Sequence, residues 1–271
     1  MTEMQRVIKY AAIGLAVLLI AMIVGGIVGA VGLIAGFFEP QDAVRDFQSY
    51  SVSGEIHSLD IELAAADLCI REGESFSVES NLPYLKVRER GGVLIIEETE
   101  WRRSSASYRD AALTVYVPAG TVYRDVSIAT GAGRLTAEAL SAERLDLAFG
   151  AGEVSFGSLT ATESADIEGG TGRVTVSGGM LQNLDLDMGL GQLQLRAALR
   201  GDCELDLGVG ESRVTLLGAR DDYRLLPEKG LGSMTVDGET LAAGSVVGEG
   251  GNRVRLSGGV GTIAVTFEAI S

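Results

Sequence analysis

Residues 126–210 contain five copies of one pattern. They read Val126-Ser-Ile-Ala-Thr-Gly131-Ala-Gly133-Arg-Leu135, Leu145-Asp-Leu-Ala-Phe-Gly150-Ala-Gly152-Glu-Val-Ser-Phe156 and Ala165-Asp-Ile-Glu-Gly-Gly170-Thr-Gly172-Arg-Val-Thr-Val176. Leu184-Asp-Leu-Asp-Met-Gly189-Leu-Gly191-Gln-Leu-Gln-Leu195 and Cys203-Glu-Leu-Asp-Leu-Gly208-Val-Gly210 complete the set. The first glycines of successive copies are 19, 20, 19 and 19 residues apart. A period of that length is the mark of a solenoid, because one unit buries its apolar face only when a neighbour stacks on it.

Apolar residues occupy alternate positions on both sides of each Gly-x-Gly, as in Leu145, Leu147, Phe149 and then Val154, Phe156. Period two means strands with one inward face. The expected fold is therefore all-β: a single-domain β-solenoid of about 20-residue, two-strand rungs, with glycines turning the corner through positive φ and through close approach of neighbouring corners. Leu59-Asp-Ile-Glu-Leu-Ala-Ala-Ala-Asp-Leu-Cys-Ile70 repeats the pattern with alanines at the corner and reads as a degenerate first rung. Arg90-Gly91-Gly92 reads as a hairpin turn. Glu211-Ser-Arg-Val-Thr-Leu216, Gly230-Leu-Gly-Ser-Met-Thr-Val236 and Asn252-Arg-Val-Arg-Leu256 continue the pattern less regularly, and the strand ending at Phe267 is expected to close the last rung.

Ahead of the strands, residues 11–38 form 28 positions with no charge, more than the roughly 20 that span a bilayer as a helix. Arg6 and Lys9 precede the run, while Glu39, Asp42 and Asp46 follow it. The positive-inside rule then gives a cytoplasmic tail of residues 1–10, a transmembrane helix at 11–38, a linker at 39–49 and an extracytoplasmic domain at 50–271. A cleaved signal peptide is the competing reading; the run exceeds the usual 7–15 apolar residues and ends in Phe37-Phe38-Glu39-Pro40 without a small-x-small site, which favours an uncleaved signal anchor. Gly25, Gly29, Gly32 and Gly36 share one helix face, either as a packing seam for a homodimer or as ordinary membrane-helix glycines.

The formal net charge is −15. Glu3, Arg6 and Lys9 together contribute +1, which leaves −16 for the rest of the chain and argues against nucleic acid or anionic headgroups as partners. Two cysteines make no disulfide framework: Cys203 falls in an inward column and Cys69 points the other way, so both read as unpaired.

The outward face carries the charge. Asp60, Asp146, Asp166, Asp185 and Glu204 share one position, and Glu168, Asp187 and Asp206 another two residues on. Stacked about 4.8 Å apart, they make two carboxylate columns. Either calcium bridges them, with Asp146, Asp166, Asp185, Asp187 and Asp206 as candidate ligands, or they are solvated, screened and partly paired with Arg134, Arg173 and Arg213. A second candidate is the insertion at residues 100–110, where Trp101, Arg102, Arg103 and Tyr108 form a basic, aromatic patch: a binding loop for an anionic wall polymer or partner protein, or an irregular insertion.

Other chemistry is excluded. Gly169-Gly-Thr-Gly-Arg-Val-Thr-Val176 has valine where a calcium nonapeptide repeat needs aspartate, and the period is wrong. The Gly-x-Gly corners precede strands, whereas nucleotide sites need a helix N-terminus there. His57, the single histidine, has no triad or zinc partners in sequence, so no catalytic, cofactor or closed metal site is expected.

With the anchor, the degenerate rung, the Val115-Tyr-Val-Pro118 strand and the repeated Gly-x-Gly units taken together, the chain from Tyr50 onward resembles the DUF4097 family of bacterial adhesin-like proteins. That resemblance implies a β-solenoid displayed on the cell envelope, non-enzymatic, with surface attachment to an unidentified surface protein, membrane protein or cell-wall polymer. As an alternative, it implies a role in envelope-stress sensing or regulation through a membrane partner, which the short cytoplasmic tail makes the second choice. It brings no catalytic motif and no cofactor.

Overall fold

The computed structural model describes residues 46–99, 110–228, 230–241 and 244–269. The tail, the apolar run with Gly25, Gly29, Gly32 and Gly36, and the insertion with Trp101, Arg102, Arg103 and Tyr108 lie outside the described residues. Among the described residues the one helical element is a 3-10 turn at Arg220–Asp222, and no helix is long and apolar enough to cross a membrane.

The chain lays down β1 (Gln48–Ser51), β2 (Ser58–Ala65), β3 (Asp67–Gly73), β4 (Ser77–Ser80), β5 (Leu85–Arg90), β6 (Val93–Glu98) and β7 (Ala112–Pro118). β5 and β6 form the expected hairpin, turned by Gly91 and Gly92 at φ 60° and 77°. β2 and β3 make the first rung. They stack in parallel on the start of the long β8 (Tyr123–Val176), with Leu59 opposite Val126 and Leu68 opposite Leu135. β8 runs through three successive rungs, followed by β9 (Gly179–Gln182), β10 (Leu184–Arg200) and β11 (Asp202–Leu217). Leu145, Leu147, Phe149, Val154 and Phe156 are all buried, and one continuous core runs from Ile56 to Val265.

Each rung of this region has a third short side that the repeat pattern alone does not announce. Residues Leu159 to Ala161 pair in parallel with β9, and β9 pairs with Ala198 to Arg200 at the end of β10. A rung of parallel strands has to carry the chain back to where it began, and this side does so. It brings Leu140, Leu159, Leu181 and Leu199 into the core, all fully buried. The expected two-strand rung is therefore corrected to three segments.

The two glycines of each corner play different roles. Gly152 sits at φ 143°, a region that L side chains rarely adopt. Gly150 has no positive φ; a Cβ there would run into the carbonyl oxygen of Gly131 in the rung below. Close approach thus decides the first glycine, and backbone conformation, together with close approach, the second. The first rung turns at Ala64-Ala65-Ala66 without glycine, and among the described residues no full corner lies beneath it. β6 ends there, and the Ala64 N–H donates to Glu98 Oε2 at 2.8 Å.

The C-terminal end departs from chain order. After β11 come β12 (Tyr223–Glu228), β13 (Leu231–Val236), the two-residue β14 (Glu239–Thr240) and β15 (Asn252–Glu268). β15 pairs in parallel with β11 on one side and with β12 and β13 on the other. The strand ending at Phe267 does not close the last rung, as its sequence position suggests; it is intercalated beneath the rung made by β12 and β13. Pro227 on β12 and the antiparallel β14 beside β13 blunt the outer edge. Cys203 is buried in its inward column, Cys69 is half-buried, and both thiols are free.

Two outcomes follow from these contacts. Gly150→Ala should lower stability by about 2 kcal/mol or more in chemical denaturation, whereas Gly251→Ala, where a Cβ meets open space, should change it by no more than about 0.5 kcal/mol. Removing residues 252–271 should strip amide-exchange protection from residues 223–236 as well as from the β11 edge, because both stack on β15.

Candidate functional site

The stack places Asp146, Asp166 and Asp185 on adjacent rungs, with Asp166 opposite Asp185 and Asp185 opposite Glu204. Glu168, Asp187 and Asp206 form the second column in the same way. Asp146, Asp166, Asp185, Glu168, Asp187 and Asp206 are all exposed, and none forms a hydrogen bond or ion pair with another described residue. Only Glu204, next to the intercalated strand, is paired, with Arg255 Nη1 at 2.6 Å.

The neighbouring columns are built differently. Arg134 lies between Asp67 and Glu153 at 3.7 and 3.5 Å, and Arg173 reaches Glu153 at 2.9 Å and Gln192 at 3.1 Å. Arg144 bridges Asp125 and Glu163 at 2.7 and 2.8 Å, and Arg253 meets Asp202. Arg213 pairs with Glu211 on its own strand. The expected partial pairing of the aspartate columns with Arg134, Arg173 and Arg213 is not what the geometry gives: these arginines follow the second glycine and serve carboxylates of that column. From Asp146 through Asp185 the first column stays acidic, and it meets a basic residue at Arg255, beside Glu204.

Partial burial, followed by repulsion from Asp185, Asp146 and Glu168, holds the Asp166 carboxyl above the ordinary aspartate range. Burial and then Asp206, Asp185, Glu168 and Asp166 do the same to Asp187. Among the described residues no group of three or more His, Cys, Asp or Glu is placed to hold a metal ion. Carboxylates in a flat row offer a cation adjacent pairs rather than a closed cage. His57 has Ser58 Oγ at 3.2 Å from Nδ1 and no carboxylate partner among the described residues. The larger hollow behind the corners, between Met188, Leu207, Met234 and Ile263, has room for little more than a water.

One surface feature escaped the sequence reading. The residue between the two glycines is Ala132, Ala151 and Thr171 in the early rungs but Leu190, Val209, Val260 and Leu231 in the late ones. All four late residues are exposed and in register. The change from small to aliphatic at a fixed position was visible in the repeats and passed over because that position faces out.

A raised carboxyl pKa in the folded state means the native chain binds protons more readily than the unfolded one, so these two groups add stability as pH falls from neutral through their folded pKa values towards the ordinary aspartate value of 3.8. Asp166→Asn and Asp187→Asn should each raise Tm at pH 7 by about 1–2 °C in low salt. The gain should shrink at pH 4.5 and in 1 M salt, as thermal melts would show.

No curated protein matches the chain. Among solved structures, an adhesin candidate from Bacteroides fragilis is 13% identical, with a TM-score of 0.44 over 81% of this chain and 95% of its own. A cell-adhesion candidate from Clostridium sporogenes is 12% identical, with a TM-score of 0.34 over 82% and 99%. An adhesin candidate from Parabacteroides merdae is 10% identical, with a TM-score of 0.37 over 82% and 95%. The Toastrack DUF4097 model matches residues 56–220, from the first rung to the end of β11 and just beyond, and by that match, over more than half its length, the chain belongs to the Toastrack DUF4097 family.

Proposed function

We propose that this chain is a non-enzymatic, membrane-anchored cell-surface protein whose solenoid serves as an adhesion or protein-interaction scaffold. The observation that carries the reading is the set of in-register outer columns, which repeat one surface chemistry at each step of a rigid stack. Such a surface suits an extended partner rather than a small molecule, because its contacts are spread along a face instead of converging in a cavity.

In this reading residues 11–38 hold the chain in the bilayer, the tail of residues 1–10 stays in the cytoplasm, and the solenoid stands outside, single-pass and accessible. The glycine face of the membrane helix would allow a homodimer. The partner is a surface or membrane protein or a cell-wall polymer. The insertion with Trp101, Arg102, Arg103 and Tyr108 would supply the basic contact that the acidic solenoid lacks.

The full chain, epitope-tagged at its C-terminus, should be labelled by antibody on intact cells without permeabilisation, and the purified full chain should be retained by membrane or cell-wall fractions. Labelling only after permeabilisation would overturn the topology. Retention by neither fraction would overturn the scaffold reading.

A further inference from the structure

Leu190, Val209, Val260 and Leu231 stand on four successive corners, paired Leu190 to Val209, Val209 to Val260 and Val260 to Leu231. At about 4.8 Å per rung the ridge is roughly 14 Å long. Although neighbours along the ridge are in register, 49%, 40%, 50% and 80% of these residues' surfaces remain open to water. Folding does not require them: the same position holds alanine at Ala132 and Ala151, where the corner forms with the same glycine geometry. A row of aliphatic side chains held out by a rigid corner marks a contact surface.

The border of the ridge selects its occupant. Two residues before the corners, Asp187 and Asp206 face outward with no ion-pair partner among the described residues. Beyond them run Asp185 and Glu168. A second copy laid ridge to ridge would bring these like charges together. Anionic lipid is repelled by the same carboxylates.

We infer that the Leu190–Val209–Val260–Leu231 ridge, bordered by Asp187 and Asp206, is the docking site for a short, basic amphipathic segment of another protein. Apolar side chains of the segment lie along the ridge, and its lysines or arginines meet the two aspartates. The inference rests on the scaffold reading and names the partner chemistry of one face of it.

The test uses the full chain in phosphatidylcholine nanodiscs and a fluorescein-labelled decapeptide of alternating leucine and lysine, read by anisotropy against empty nanodiscs. A lysine–serine decapeptide of equal charge should bind at least about tenfold more weakly. Changing Leu190, Val209, Val260 and Leu231 together to alanine should weaken the leucine–lysine peptide by at least about tenfold, with the melt and circular dichroism unchanged. Asp187→Asn with Asp206→Asn should weaken it several-fold and flatten its salt dependence.

No binding of the peptide to the wild-type chain, or equal binding by the alanine variant, overturns the proposal. So does a dimer in sedimentation velocity that the alanine variant abolishes, which assigns the ridge to a second copy. Ridge-dependent pelleting with phosphatidylglycerol vesicles assigns it to lipid and overturns it as well. If the wild-type chain is retained by membrane or cell-wall fractions while the peptide binds both forms equally, the ridge fails and the scaffold stands. Retention by neither fraction overturns the scaffold reading whatever the peptide does.

Discussion

The whole stack depends on how closely two backbones can pass at a corner. At Gly150 a single added carbon would collide with the carbonyl of the corner below, so the rungs come together only where that carbon is missing. Everything else follows from the spacing this sets. Inward leucines and valines interdigitate to close the core, and outward residues of like position fall into columns a strand's width apart. A contact of backbone on backbone therefore determines the surface chemistry of the protein.

Columns turn sequence drift into pattern. Where successive rungs alternate sign, as at Arg134, Glu153 and Arg173, the column neutralises itself. Each such exposed pair is worth little alone. Where successive rungs keep the same sign, as at Asp166 and Asp185, repulsion adds to partial burial and the Asp166 carboxyl resists ionisation. An acidic face kept in that state beside self-neutralised columns separates the outer surface into a charged side, a neutral side and an apolar corner.

Much of this was legible in the residues, because period-two alternation and a fixed glycine spacing report directly on strands and corners. The third side of each rung was not. It contributes short stretches with few inward positions, Leu159 and Ala161 for example, too few for alternation to register. The stacking order of the last two rungs was hidden for a different reason: parallel strands carry no mark of which neighbour they join. The charges held a trace of the answer, since Arg253 and Arg255 fall opposite Asp202 and Glu204. Of the candidate positions, the aspartates lie where their spacing placed them, while the arginine partners do not, because residues on opposite sides of a corner point to different faces.

The intercalated strand also says how such a solenoid gains length. Gly208 and Gly259 occupy equivalent corners of touching rungs, yet lie 51 residues apart against 19 between Gly189 and Gly208. The surplus of 32 equals the stretch from residue 219 to 250, which carries β12, β13 and β14. Lifted out, that stretch would leave Gly218 followed by Gly251 and the repeat back in frame. The outermost rung is thus a cassette set within the chain, held by the strand that follows it, so the molecule carries its extra storey as an insertion and not as an extension.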